Sequence, residues 1–218
     1  MEENNSGASQ NNLDEQPFTI TVFGKTGTGK STTLNALFGL SCKTDPSVAC
    51  TIEPQIAHFE KGHHIEKPIR VVDMPGIGES IDADMQYLPY YEKWIPETHS
   101  LVWVTQADTR AYKRDEIFLN HLLPLLHPSL FFTVALNRID HLGVDEGEKS
   151  FDITTKQPSQ AQLQILPEKI DDVYRLFKGV LKTTVLFEKH QIVPYSAVHR
   201  WGLDTLKTTI FTRRETLC

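Results

Sequence analysis

The chain has 218 residues, of which 39% are hydrophobic, and this suits one compact domain rather than two. Its formal net charge of −6 argues against direct DNA binding, because affinity for a phosphate backbone requires a basic surface. Three cysteines without CxxC spacing indicate reduced thiols rather than a disulfide framework or a zinc site. No apolar run approaches the ~20 residues of a membrane span, so we expect a cytoplasmic protein without a transmembrane segment.

Residues 1–17 are polar and nearly lack large apolar side chains, so we expect a disordered tail before a folded domain over 18–218. From residue 18 onward, β-rich runs alternate with segments of helical periodicity, which predicts an α/β fold with a mostly parallel sheet and helices on both faces. The segment 52–60 is predicted to pair with the strand at 69–73 and to form one antiparallel edge. The other predicted strands are 18–23, 101–105, 130–136 and 191–195, and helical runs cover 115–126 and 160–181.

The segment GKTGTGKS (24–31) follows the first predicted strand and matches G-x-x-x-x-G-K-[ST] at every fixed position. Its glycines allow backbone N–H groups to turn inward around a phosphate, beside the positive end of a helix dipole. Lys30 is expected to reach the β- and γ-phosphates, and the Ser31 hydroxyl to ligate Mg²⁺. The nucleotide-binding residues predicted here are Lys25, Thr26, Gly27, Thr28, Gly29, Lys30, Ser31 and Thr32.

The motif DMPG (73–76) ends a predicted buried strand and fits the metal and γ-phosphate side of such a site. We expect Asp73 to hold the Mg²⁺ shell and the N–H of Gly76 to sense the γ-phosphate. A switch I hydroxyl has candidates at Thr44, Ser47 and Thr51. We choose Thr51, because it stands just before the edge strand, where its hydroxyl would ligate Mg²⁺ and its N–H would touch the γ-phosphate. The predicted metal ligands are therefore Ser31, Thr51 and Asp73.

Two later strand ends carry residues that fit a guanine base. In NRID (137–140), the Asp140 carboxylate accepts two hydrogen bonds, which matches the two adjacent donors of guanine and not the acceptor edge of adenine. Asn137 and Arg138 belong to the same motif. In YSA (195–197), a backbone N–H at Ser196 or Ala197 is expected to meet the guanine O6. Together with the phosphate loop, these motifs predict GTP and GDP as ligands.

GKTGTGKS, DMPG, NRID and YSA stand in the order seen in Ras-like GTPases of the translation-factor class. The longer runs DMPGIGES, LVWVTQADTRAYKRDE and PSQAQLQILPEKIDDV resemble the Era-like (TrmE-Era-EngA-septin-like) branch, and most of all the bacterial, prophage-associated YfjP family, over nearly all of 18–212. The resemblance implies a Ras-like P-loop GTPase domain over 18–218, with a six-stranded sheet and one antiparallel edge strand. It also implies Mg²⁺, slow GTP hydrolysis and a nucleotide-dependent switch acting on an unidentified protein or ribosomal effector.

Several positions depart from the common pattern. Arg138 stands where GTPases usually carry Lys, and its flat guanidinium is expected still to lie along the base and loop. Ile77 stands where a Ras-like site has the Gln that orients the attacking water, so hydrolysis by the isolated protein should be slow. The water would then be held by Thr51 with the loop backbone, by Glu79, or by a group supplied in trans, and the predicted catalytic residues are Thr51, Gly76 and Glu79. Gly27 replaces the Asn that recruits K⁺ in some Era-like relatives.

Two other functions remain alternatives. One is a septin-like assembly module that forms a GTP-dependent homodimer through its nucleotide faces and hydrolyses little GTP. The other is a small P-loop kinase, which the motifs DMPG and NRID disfavour because they have no place there. The charged run DTRAYKRDE (108–116) is interpreted as a solvated helix start, in which Asp115 and Glu116 complement the helix dipole.

Overall fold

The computed structural model describes residues 16–42, 51–60, 67–78 and 80–216. Most of the expected N-terminal tail, which ends at residue 17, lies outside these residues. The switch I candidates Thr44 and Ser47 and the catalytic candidate Glu79 also fall outside them. For residues 213–216, only the backbone of the last helix is described.

The described chain forms six strands and five α-helices, and every strand predicted from sequence is present. The strands are β1 (Phe18–Phe23), β2 (Gln55–Phe59), β3 (Ile69–Asp73), β4 (Ser100–Gln106), β5 (Phe131–Asn137) and β6 (Ile192–Pro194). The helices are α1 (Lys30–Phe38), α2 (Ile81–Trp94), α3 (Lys113–Leu122), α4 (Gln160–Leu181) and α5 (Leu203–Thr216).

The strands form one sheet in the order β2-β3-β1-β4-β5-β6. Strand β2 is antiparallel to β3, with Ile56 opposite Val72, and every other neighbouring pair is parallel. The predicted mostly parallel sheet with one antiparallel edge strand is therefore confirmed. Because parallel strands share a direction, the carboxyl ends of β1, β3, β4, β5 and β6 meet at one edge, where ligands bind in open α/β sheets.

Each face of the sheet carries its own hydrophobic core, as expected for helices on both faces. On one face, Leu34 of α1 and Leu206 of α5 pack with the β1 side chain Ile20. On the other face, α2, α3 and α4 cover a cluster that includes Trp103 and Phe177, whose ring centroids lie 5.5 Å apart in an edge-on arrangement. The sheet is thus a buried, well-packed support for the loops at its carboxyl edge.

The predicted helical run 115–126 ends earlier than expected. Helix α3 stops at Leu122, and Leu123–Leu125 form a 3₁₀ turn that contains Pro124, whose ring lacks the N–H needed to continue an α-helix. The polar stretch 142–159 before α4 forms a long loop without helix or strand beyond an isolated bridge between Asp152 and Gln157. Within the ranges described above, no helix is both long and apolar enough to cross a membrane.

Candidate nucleotide-binding site

The phosphate loop between β1 and α1 depends on glycine at its turning points. Gly24, Gly27 and Gly29 have φ angles of 142°, 80° and 95°, a region that residues with side chains rarely adopt. A Cβ at Gly24 would lie 2.1 Å from the carbonyl oxygen of Val104, and one at Gly29 would lie 2.4 Å from Nδ2 of Asn137. The loop therefore passes too close to β4 and β5 for any side chain at these two positions.

Lys30 begins α1 and folds back over the loop. Its side chain is largely buried, and Nζ donates hydrogen bonds to the carbonyl oxygens of Gly24 and Lys25, each at 3.1 Å. A Cβ on Gly76 of the DMPG motif would lie 2.9 Å from the same Nζ. The ammonium group is thus held between the phosphate loop and the DMPG motif, where it can meet the phosphates of a nucleotide.

The three residues predicted to ligate Mg²⁺ meet at one carboxylate oxygen. Ser31 Oγ donates to Asp73 Oδ2 at 3.0 Å, and Thr51 Oγ1 lies 3.5 Å from the same atom. The other oxygen, Asp73 Oδ1, is buried and has no hydrogen-bond partner among the described residues. Burial raises the pKa of Asp73, against the opposing charge of Lys30 and the hydrogen bonds from Ser31 and Thr51.

This oxygen set fits a hard cation such as Mg²⁺, which binds few protein carboxylates and takes its other ligands from phosphates and water. Within the described ranges, no group of three or more His, Cys, Asp or Glu side chains forms an alternative metal cluster. A cation beside Asp73 would offset the cost of burying its carboxylate, and it would do so next to Lys30 and the phosphate loop.

The residues after Asp73 pair directly with the phosphate loop. Ile77 N–H donates to the carbonyl oxygen of Gly24 at 3.2 Å, and Thr26 N–H donates to that of Ile77 at 2.9 Å. A Cβ on Gly76 would lie 2.4 Å from Thr26 Oγ1, so this close approach requires glycine. The Ile77 side chain is fully buried in the core on the α2 and α3 face. Its position therefore belongs to the core and not to the phosphate side of the loop.

Asn137 at the end of β5 links two loops of the site. Its Nδ2 donates to the carbonyl oxygen of Thr28 at 2.9 Å, and its Oδ1 accepts from the N–H of Ala197 at 3.1 Å. The next residue, Arg138, has a left-handed φ of 62° and donates to the carbonyl oxygen of Gly27 at 2.7 Å. The NRID motif thus joins the phosphate loop to the YSA loop, and Arg138 lies along the loop as expected.

Asp140 and Ser196 lie at the same end of the site and are connected through His199. Oδ2 of Asp140 lies 3.1 Å from Nε2 of His141 and 3.9 Å from Nε2 of His199. The N–H of His199 donates to Oγ of the buried Ser196 at 3.2 Å. Sequence reasoning identified neither histidine. His199 is brought next to Asp140 only by the fold. Gln162 of α4 supports this region by donating to the carbonyl oxygens of Ile139 and Leu142.

The side chain of Lys25 points away from the loop, toward α3. Nζ lies 2.8 Å from Oδ2 of Asp115 and donates to the carbonyl oxygen of Ala111 at 2.6 Å. Asp115 is fully buried, so the interpretation of residues 108–116 as a solvated helix start is wrong at this position. Its Oδ1 accepts a hydrogen bond from Trp103 Nε1 at 3.1 Å, which shows that α3 begins against the core rather than in solvent.

Residues 19–137 match a protein family described as the 50S ribosome-binding GTPase. The chain belongs to this GTPase family. The GTPase is 30% identical over 199 residues to the uncharacterized proteins YfjP and YkfA of Escherichia coli K12. These alignments cover 90% of the chain and 62% of each relative, so the chain spans about three fifths of their length. Septin-1 of Homo sapiens is 31% identical over 111 residues, which is 47% of this chain and 27% of the septin.

The GTPase also shares its fold with solved structures of GTP-binding proteins. Era of Aquifex aeolicus bound to GDP.AlF4⁻ superposes with a TM-score of 0.62 at 24% identity, over 89% of this chain and 56% of Era. Toc33 of Arabidopsis thaliana with Mg²⁺ and GMPPNP superposes with a TM-score of 0.66 at 16% identity, over 93% of this chain and 86% of Toc33. The Ras-like fold and the resemblance to Era-like GTPases of the YfjP kind, both predicted from sequence, are confirmed.

Proposed function

We propose that this GTPase binds GTP and GDP with Mg²⁺, hydrolyses GTP slowly at the β–γ phosphoanhydride, and acts as a nucleotide-dependent switch on a partner. The convergence of the Ser31 and Thr51 hydroxyls on one carboxylate oxygen of Asp73 carries this proposal. Residues far apart in sequence meet there, beside a phosphate loop in which Gly24 and Gly29 cannot be replaced without a clash. Membership of the family and the nucleotides in the solved structures of Era and Toc33 support it.

Each part of the site has a role in this proposal. Backbone N–H groups of residues 25–32 surround the phosphates, and the Lys30 ammonium meets the β- and γ-phosphates. Ser31, Thr51 and Asp73 hold Mg²⁺, which supplies positive charge to the oxygens on which negative charge develops. The N–H groups of Gly76 and Thr51 sense the γ-phosphate.

Guanine selection is assigned to the loops after β5 and β6. The Asp140 carboxylate accepts from the ring N–H and the exocyclic amine, and a backbone N–H at Ser196 or Ala197 donates to O6. Arg138 lies along the loop beside the base. The hydrogen bonds of Asn137 to Thr28 and Ala197 hold the base-binding loops next to the phosphate loop.

Slow hydrolysis is expected because no described side chain stands in place of the water-orienting Gln. Ile77, which follows Gly76, is committed to the core. The attacking water would then be positioned by Thr51 with the loop backbone, or by Glu79. A group supplied by a partner can contribute on the order of 10³ to 10⁵ in rate.

The switch arises from the DMPG segment, where loss of the γ-phosphate would release Gly76 and allow the following backbone to reorder. A solved structure of Era contains MgGDPNP and a segment of 16S ribosomal RNA, which supports a ribosomal effector as one candidate partner. The alternative is a GTP-dependent homodimer. It is supported by a structural neighbour, because dimerisation is important for the GTPase activity of the chloroplast translocon components atToc33 and psToc159. We expect the protein to act in the bacterial cytoplasm.

Binding of a fluorescent GDP to the purified protein in Mg²⁺ tests the phosphate assignment. Lys30→Ala removes the ammonium that lies over the loop, and we expect at least about a tenfold loss of affinity, because hydrogen bonds to charged groups contribute about 1.5 to 3 kcal/mol each. Lys113→Ala is the matched control, because Lys113 is exposed and pairs only with Glu116 in the described structure. Equal affinities for wild type and Lys30→Ala would contradict the proposal.

A further inference from the structure

The first turn of α3 contacts the phosphate loop through a buried ion pair between Lys25 and Asp115. The distance from Lys25 Nζ to Asp115 Oδ2 is 2.8 Å, and the Asp115 side chain has no solvent exposure. Trp103 Nε1 donates to the other carboxylate oxygen at 3.1 Å, which fixes its orientation. Lys25 Nζ also donates to the carbonyl oxygen of Ala111, so the ammonium is held by groups just before and within α3.

Lys25 is also central to the phosphate loop. Its carbonyl oxygen accepts from Lys30 Nζ at 3.1 Å and from Thr28 Oγ1 at 2.8 Å. The backbone of Lys25 therefore helps to place the ammonium group that meets the phosphates, while its side chain is anchored in α3. The same residue therefore connects α3, through its side chain, to one of the two carbonyl oxygens that hold the Lys30 ammonium.

The same turn of α3 contacts the segment that follows DMPG. Arg114, the neighbour of Asp115, donates a short hydrogen bond to the carbonyl oxygen of Gly78. Gly78 packs on the stem of Lys25, since a Cβ at Gly78 would lie 3.3 Å from Lys25 Cγ. Its N–H donates to Asp84 Oδ1 at 2.7 Å. Two adjacent residues of α3 thus contact two parts of the site: Asp115 binds Lys25 of the phosphate loop, and Arg114 binds Gly78 of the segment after DMPG.

A buried ion pair of this kind is weak evidence for a contribution to the stability of the fold. Removing a carboxylate from water is costly, and the attraction of one partner offsets that cost only in part. Burial raises the pKa of Asp115 even though Lys25 and Trp103 oppose the shift. A hydrophobic pair of similar volume would serve packing as well.

We propose that Asp115 is a positioning residue of the GTPase site, which acts through Lys25. It holds the Lys25 ammonium away from the phosphates, so that Lys30 is the cation that meets them, and it fixes the loop in the arrangement that hydrolysis requires. This inference rests on the proposed GTP site.

A double-mutant cycle tests the inference in the full chain. Lys25→Met, Asp115→Asn and the double variant are compared by single-turnover hydrolysis of GTP, by affinity for GDP and by thermal unfolding. We expect each single variant to lower the hydrolysis rate at least about tenfold and to change GDP affinity less than about threefold. Because both act through one contact, the double variant should be no slower than the slower single variant. Glu116→Gln is the matched control, since it alters the next residue, which pairs only with Lys113 in the described structure, and it should hydrolyse GTP like wild type.

Several results would overturn the inference. Additive losses in the double variant would show that Lys25 and Asp115 act independently. A loss of GDP affinity of more than about tenfold in Lys25→Met alone would show that Lys25 contacts the phosphates directly. If melting temperatures fell while hydrolysis by the folded variants stayed at the wild-type rate, the pair would be only structural.

Lys25→Arg keeps the inference testable if Asp115→Asn does not fold. Arginine retains a positive charge within reach of Asp115, so it should hydrolyse GTP faster than Lys25→Met, and equal rates would overturn the role of the pair. A wild type that binds no guanine nucleotide would contradict the proposed GTP site itself. A wild type that binds GTP, with variants of unchanged hydrolysis, would contradict only the role of Asp115.

Discussion

Gly76 lies so close to the phosphate loop that no side chain fits at its position. A Cβ there would be 2.9 Å from the backbone Cα of Thr26 and 2.4 Å from Thr26 Oγ1. A side chain at this position would therefore push the DMPG segment away from the phosphate loop. That segment carries the N–H that we propose to sense the γ-phosphate. In the proposed switch, glycine at this position would link the nucleotide state to the position of the backbone.

Gly76→Ala should therefore reduce affinity for a GTP analogue more than affinity for GDP. We expect a loss of at least about tenfold for GMPPNP, because its γ-phosphate loses a charge-assisted hydrogen bond, and less than about threefold for GDP. Titration with fluorescent nucleotides measures both affinities. Gly143→Ala is the control, since a Cβ there meets nothing within 4 Å. Equal losses for the two nucleotides would show that Gly76 does not sense the γ-phosphate.

At the residue scale, the order of the motifs predicts which strand ends meet. Ser31 and Asp73 follow adjacent parallel strands, so their proximity was predictable, and Thr51 came to the same oxygen. The buried position of Asp115 was not predictable. Its charge and its place in a helix start both favour solvent, and only the orientation of α3 against Trp103 decides otherwise.

At the scale of elements, the segment after β3 combines a role in the site with a role in the core. Its backbone pairs with the phosphate loop through Gly24 and Thr26, while the Ile77 side chain is fully buried on the α2 and α3 face. The sequence showed that Ile77 cannot orient a water molecule. It did not show that the position faces the core, because the apolar run there is too short for its periodicity to be read.

Ile77→Gln should therefore fail to accelerate GTP hydrolysis. A buried amide without partners costs about 1 to 3 kcal/mol, so we expect a lower unfolding free energy and an unchanged or lower hydrolysis rate. Urea unfolding and phosphate release measure the two effects. Ile77→Val, which should cost only about 0.5 to 1.5 kcal/mol, controls for lost volume. Faster hydrolysis by Ile77→Gln at wild-type stability would contradict the placement of this side chain.

The strands were the most predictable elements, and the helix ends were the least. The five parallel strands could be located because buried parallel strands read as continuous apolar segments, and the antiparallel β2 was located as the partner of β3. Helix α3 ended earlier than its apolar periodicity indicated, because Pro124 interrupts the hydrogen bonding that periodicity alone does not consider.

At the scale of the whole molecule, the described residues include those proposed to bind the nucleotide, and no described side chain takes the place of the water-orienting Gln. The chain corresponds to about three fifths of its relatives YfjP and YkfA. The proposed role is accordingly that of a GTPase domain whose hydrolysis is completed by another subunit or partner.

We expect turnover of dilute protein to stay below about one per second, because catalysis lacks a group that in trans contributes on the order of 10³ or more. Replacing Na⁺ with K⁺ should have little effect, since Gly27 stands where potassium-dependent relatives carry Asn. Phosphate release from dilute protein in Na⁺ and in K⁺ measures both expectations. Repeating the measurement at increasing protein concentration reports on a homodimer, whose formation would raise the rate per molecule. Fast turnover at high dilution, or strong stimulation by K⁺, would contradict this account of the active site.

The central claim is that the protein is a GTPase that selects guanine through Asp140, and exchanging the base tests it most directly. Phosphate release is measured from GTP and from XTP, in Mg²⁺, with wild type and with Asp140→Asn. Xanthine carries a carbonyl in place of the guanine amine, so the amide of Asn complements it where a carboxylate does not. We predict that wild type prefers GTP and that Asp140→Asn prefers XTP, each by at least about tenfold in kcat/KM. A variant that still preferred GTP, or a wild type that hydrolysed both equally, would contradict the claim.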